Sequence, residues 1–171
     1  MVDPVTMPAD DSDSPHGPAE RAAASPFELG TDGPKVLVVG IDGSQTSVRA
    51  AAYAIGLARR QRSRLVFLYV KSAAGLSGVS AGATALMAST QDELAAEFAA
   101  TIRAYMDELG KQDWEFRTVR GDVYTELART ADDERADGVL VGASSKAGHR
   151  FAGSVAVRLV RAGRWPVTVV P

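Results

Sequence analysis

The sequence contains no cysteine, which excludes disulfides, thiolate metal sites and a thiol nucleophile. Histidine is almost as scarce. His16 and His149 are the only two, too few for a histidine-rich metal site. No apolar run approaches the roughly 20 residues that a membrane helix needs. The opening residues, MVDPVTMPADD, have neither the basic nor the apolar stretch of a secretory signal. These absences lead to the expectation of a soluble, cytoplasmic protein with no membrane partner. A dominant charge is missing as well. The formal net charge is -2, so no global field points to nucleic acid, and a small molecule or a protein is the expected partner.

What is present divides the 171 residues into two parts. Met1 to Pro34 holds six of the eight prolines and seven acids against the single base Arg21, leaving 18 bases against 14 acids in the rest. A segment with few large apolar residues and no periodicity cannot bury enough surface to offset its ordering entropy. Residues 1–34 are therefore expected to be a disordered, acidic, Pro-rich tail, and residues 35–171 one folded domain.

From Lys35 the pattern changes. KVLVVGI (Lys35 to Ile41) and RLVFLYV (Arg64 to Val70) are continuous apolar runs of the kind buried on both faces of a parallel sheet. Between them Ser44 can cap a helix with Val48, Ala51, Ala52, Ile55 and Ala58 at helical spacing, and Arg59, Arg60 and Arg62 suit its C-terminal dipole. The small-residue stretch KSAAGLSGVSAGATALMA reads as a loop. A long helix then opens at Ser89 or Thr90, with Asp92 and Glu93 in its first turn, a stripe at Leu94, Phe98, Ile102, Tyr105, Met106 and Leu109, and Gly110 as its stop. WEFRTV (Trp114 to Val119) alternates like a sheet-edge strand. Gly121-Asp122 caps a helix bearing Val123, Leu127, Ala128 and Ala131. GVLVGA (Gly138 to Ala143) is strand four, Ser154 to about Ala162 a helix stopped by Gly163, and PVTVVP strand five. Such alternation imposes a parallel sheet with right-handed crossovers, and its ligands bind outside the carboxyl ends of the strands.

No Walker A, G-x-G-x-x-G, H-E-x-x-H or calcium-loop pattern occurs. GVSAG (Gly78 to Gly82) matches the hydrolase G-x-S-x-G, with Asp122 and His149 following Ser80 in hydrolase order. A small serine esterase therefore stays as a third reading. It is the weakest, because a nucleophile elbow sits directly between a strand and a helix and Ser80 does not. The stretch VGASSKAGHRFAGS (Val141 to Ser154) is a Gly-rich entrance to a helix, whose free N–H groups and dipole suit anions. Lys146, His149 and Arg150 add charges that phosphates would meet.

With VGIDGS after strand one, GD after strand three, GASSKAGHRFAGS after strand four and the closing PVTVVP, residues Lys35 to Pro171 resemble the universal stress protein family. The resemblance implies an α/β, Rossmann-like single domain: a five-stranded parallel sheet of order 3-2-1-4-5 with helices on both faces. It also implies ATP, accompanied by Mg²⁺, at the ends of strands one, two and four, in a stress-response protein that is not an enzyme beyond weak ATP hydrolysis. Asp42 matches the family's ribose position, Val70 the adenine position, and Gly142, Gly153 and Ser154 the outer positions of its Gly-x2-Gly-x9-Gly-Ser/Thr loop. The middle of that loop departs from the pattern. Ser145 stands where the family has glycine, and the loop is two residues shorter, with Gly148 as a candidate compensating hinge. The resemblance further implies a homodimer, here through the strand Val167 to Val170, an apolar edge that proteins normally hide. The alternative function is a dimeric interaction module of the same fold that binds no nucleotide.

Overall fold

The structure, a computed structural model, describes residues 33–71, 81–144 and 155–171. All but the last two residues of the expected tail lie outside them. The described elements are β1 (Val36–Ile41), α1 (Gln45–Gln61), β2 (Arg64–Lys71), α2 (Ala81–Leu109), β3 (Trp114–Arg120), α3 (Val123–Asp133), β4 (Gly138–Gly142), α4 (Val155–Ala162) and β5 (Val167–Val170). Every strand pairing is parallel and the order is β3-β2-β1-β4-β5, as expected.

The continuous apolar runs of β1 and β2 are explained by burial on both sides of the sheet. Leu37, Val39, Ile41, Leu65 and Phe67 pack with Ala54 and Ala58 of α1 and Ala95 and Met106 of α2. On the other face Val38, Val66 and Leu68 pack with Leu127 and Ala131 of α3 and Leu159 of α4.

Helix starts and stops follow local chemistry. The Ser44 hydroxyl accepts the Ser47 amide at 3.1 Å, and the Asp122 carboxylate accepts that of Thr125 at 3.0 Å. Each satisfies a first-turn N–H that has no partner within the helix. Gly110 and Gly163, with φ of 80° and 62°, end α2 and α4.

Three expectations are corrected. Helix α2 begins at Ala81, not Ser89, so Asp92 and Glu93 lie beyond its first turn. The run ATALMA is rich in residues with high intrinsic helix preference, and it extends the helix. Its Leu86 and Met87 are exposed. Further along α2, Leu94 and Tyr105 are exposed as well, and Ala95 takes a core position beside Met106. In α1, Val48 and Ala52 face solvent while Ser47, Ala50, Ala51, Ala54, Ile55 and Ala58 are buried. Small residues let this helix approach the sheet closely, so residue size rather than hydrophobicity selects the inner face.

Side chains close the amino-terminal end of the sheet. Asp137 Oδ2 accepts the amides of Lys35 and Val36 at 2.7 and 2.8 Å, while the Asp137 amide donates to the Val36 carbonyl at 2.9 Å. Arg64 and Arg117 alternate with Glu115 and Glu134 in one half-buried network. Arg64 Nη2 donates to Glu115 at 2.7 Å, Arg117 Nη2 to Glu134 at 2.5 Å and to Glu115 at 2.9 Å, and Arg64 Nη1 also pairs with Glu134. Glu134, the C-cap of α3, thereby holds the two edge-side strands.

Candidate functional site

Parallel strands deliver all their carboxyl ends to one side of the sheet, and the strand order reverses between β1 and β4, the switch point where ligands bind. A small cleft of about 90 Å³ lies there, with Asp42, Ser47, Val70, Val123, Gly142 and Val155 in its lining. Three sequence-derived site residues, Asp42, Val70 and Gly142, are thus brought together. Val155, the first residue of α4, also lines the cleft.

Asp42 leaves β1 at the turn that starts α1. Its Oδ1 accepts the Ser44 amide at 2.9 Å, and its own amide donates to Ser47 Oγ at 3.4 Å. Desolvation raises the carboxyl's affinity for a proton, but hydrogen bonds from Ser44 and Ser47 outweigh it and hold the group below the usual carboxylate range. Asp42 is therefore ionised at neutral pH, an acceptor suited to hydroxyl groups. Burial and the Asp42 charge together push the Tyr69 hydroxyl up from its ordinary value. Gly43, with φ of 80°, takes a left-handed turn, and a side chain there would run into the Phe98 ring of α2.

Gly142 has a packing reason for lacking a side chain. A Cβ at this position would stand 2.5 Å from the Ser47 amide nitrogen and 2.6 Å from Thr46 Oγ1. The Thr46 hydroxyl in turn donates to the Ala143 carbonyl at 2.8 Å, tying the first turn of α1 to the end of β4. Thr46 and Ser47 escaped the sequence reading. Their signal is a run of hydroxyl side chains straight after Asp42-Gly43, at positions that can bond backward to the turn.

The remaining sequence-derived residues, Ser145, Lys146, Gly148, His149, Arg150, Gly153 and Ser154, lie outside the described residues, as does Ser80. Asp122, the acid of the hydrolase pattern, caps α3 and accepts Arg158 through both oxygens at 3.1 and 3.2 Å. Arg158 and the cap amide of Thr125 draw its carboxyl down to about 2, so this group is committed to holding α3 and α4. Among the described residues no group of three or more His, Asp or Glu could hold a metal ion, and no helix is long and apolar enough to cross a membrane.

Sheet order, crossovers and a cleft at the switch point define a doubly wound, Rossmann-like α/β protein. Residues 33–171 match the model of the Universal stress protein family; the chain belongs to that family. It is 27% identical over 139 residues to Universal stress protein MJ0531 of Methanocaldococcus jannaschii, covering 80% of this chain and 81% of that protein. A solved protein from the universal stress protein family of Burkholderia pseudomallei is 28% identical, with a TM-score of 0.65 over 80% of this chain and 96% of that one. A universal stress protein solved in complex with cAMP has the same fold at 23% identity, with a TM-score of 0.63 over 81% of this chain and 97% of that one.

Proposed function

We propose that this universal stress protein binds an adenine nucleotide, ATP in the first instance, in the cleft between the ends of β1 and β4, and that it acts as a nucleotide-responsive regulator rather than as an enzyme. The observation that carries the reading is the convergence of Asp42, Val70 and Gly142 on one cleft at the switch point. A related fold carries cAMP. Ionised Asp42 would accept the ribose hydroxyls, backbone at Val70 would meet the adenine, and the helix entrance with Ser145, Lys146, Gly148, His149, Arg150, Gly153 and Ser154 would face the phosphates. The chain offers no carboxylate cluster for Mg²⁺ among the described residues, so Mg²⁺ would arrive on the nucleotide.

Titration calorimetry of the full chain with ATP, ADP and cAMP tests this. Heat is expected. Lys146→Ala with Arg150→Ala should weaken binding by about 2 to 4 kcal/mol and Asp42→Ala by about 1 to 2 kcal/mol. Absence of heat at millimolar nucleotide would leave the second reading, a homodimeric interaction module without nucleotide. The close contact of Gly142 with Ser47 favours that alternative, because it accounts for this glycine with no ligand at all.

A further inference from the structure

At the opposite end of the sheet from the switch-point cleft, a cavity of about 430 Å³ is lined by Arg59, Arg62, Leu109, Lys111, Gln112 and Asp113. Three cations border it against one acid. Among the described residues, none of the three cationic side chains makes a hydrogen bond or an ion pair, and the contact of Asp113 goes elsewhere, to Arg64 at 3.8 Å. The floor is well made: Gln112 Nε2 donates to the Ser63 carbonyl at 2.5 Å, and the Ser63 amide to the Ala58 carbonyl at 3.1 Å. The walls are the last turn of α1 and the turn from α2 to β3.

The backbone adds an independent observation. Arg62 ends α1 in the left-handed conformation, with φ of 58°. Helices α2 and α4 give the corresponding position to glycine, at Gly110 and Gly163, the residue that adopts it without strain. An arginine here accepts that strain while placing a second guanidinium three positions from Arg59 on one cavity rim. Arg135 has the same conformation, at φ of 50°, but does not line this cavity. Attraction to a helix C-terminus accounts for cations at the end of α1 and for Lys111 just past the end of α2; it does not by itself bring the cations of two helix ends onto one cavity. The three side chains are exposed, so water and salt screen much of their mutual repulsion, and a bound anion would turn the remainder into attraction.

We infer that this cavity is a second ligand site, for a small anion carrying more than one phosphate group. Arg59, Arg62 and Lys111 supply the charge-assisted hydrogen bonds, and Leu109 supplies an apolar wall for any carbon body. The volume exceeds that of a single phosphate ion, which is why the class has several phosphates. The site is separate from the proposed nucleotide cleft and does not rest on it.

The test is calorimetry of the full chain with inorganic pyrophosphate at low and raised salt, in the unaltered protein, Arg62→Gly and the double variant Lys146→Ala with Arg150→Ala. The unaltered protein and the Lys146→Ala, Arg150→Ala double variant should bind pyrophosphate alike, and binding should weaken with salt. Arg62→Gly should bind about tenfold more weakly, the effect of one lost charge-assisted contact, while its thermal midpoint rises because glycine relieves the left-handed strain. Lys111→Ala, on the other wall, should lose a similar factor. A parallel titration with a sugar bisphosphate separates the sources: tighter binding than pyrophosphate identifies an organic phosphate using Leu109, equal or weaker binding an inorganic one. Undetectable pyrophosphate binding, an unchanged affinity in Arg62→Gly, or a loss confined to the Lys146→Ala, Arg150→Ala double variant overturns the proposal.

Discussion

Gly142 and Ser47 are in such close approach that a single added carbon on the strand would stand 2.5 Å from the helix amide. The neighbour is backbone, which cannot swing aside as a side chain can. Gly142→Ala is therefore expected to lower stability by about 1 to 3 kcal/mol, the usual consequence of overpacking. Urea unfolding measures this directly. A variant as stable as the parent would show that the end of β4 yields, and that this glycine serves something other than helix packing.

Asp122 contributes a pH-dependent part of the stability. Its folded-state pKa, drawn down to about 2 by Arg158 and Thr125, lies below the ordinary aspartate value of 3.8. The contribution is thus fully present above about pH 4 and disappears as pH falls through 2. Thermal melts between pH 5 and pH 2 should show a smaller loss in Asp122→Ala than in the parent, and at neutral pH the variant should be less stable by about 1 kcal/mol, the worth of an N-cap. Parallel curves for the two proteins would count against the assignment.

Glu134 pairs with both Arg64 and Arg117, and its side chain is 15% exposed. Glu134→Gln leaves two half-buried guanidinium groups sharing Glu115, with only the longer 3.8 Å contact of Arg64 to Asp113 besides. A cost of about 1 to 3 kcal/mol is expected. The double variant Glu134→Gln with Arg117→Met should recover part of it, because the cost is dominated by the cation left unmatched. Failure of the second change to recover any stability would mean the network is not a unit.

The edge strand β5 exposes Val169 beside a ladder with one free side. If the proposed homodimer forms there, light scattering at micromolar concentration should give twice the chain mass, and Val169→Lys should give the monomer with little change in fold. A monomer for the unaltered chain sinks the interface.

The legible parts of this fold are those in which a residue acts on its own neighbourhood. Ser44 and Asp122 announce helix starts, Gly110 and Gly163 announce stops, and the runs around Val38 and Val66 announce strands buried on both sides. The inner face of α1 was legible at Ala51, Ile55 and Ala58 but not at Ser47 and Ala50, which carry too little apolar surface to be chosen over Val48; closeness of approach decided it. The start of α2 was hidden for the converse reason, helix preference at Leu86 and Met87 with no core to face. Of the candidate site, the meeting of Asp42, Val70 and Gly142 follows from strand order. The union of Arg59, Arg62 and Lys111 on one cavity does not, since as sequence the arginines look only like partners for a helix end.

The pair of hydrogen bonds from Lys35 and Val36 to Asp137 has a mechanical meaning. β1 is the central strand, hydrogen-bonded to parallel neighbours on both sides, and the Asp137 carboxylate extends its attachment to the first residue of the folded part. A pull along β1 from its amino-terminal end would load this clamp and both ladders together in shear, so their bonds would have to fail collectively rather than one after another. Tension arriving along the chain from the acidic segment would therefore be borne by this clamp and both ladders at once.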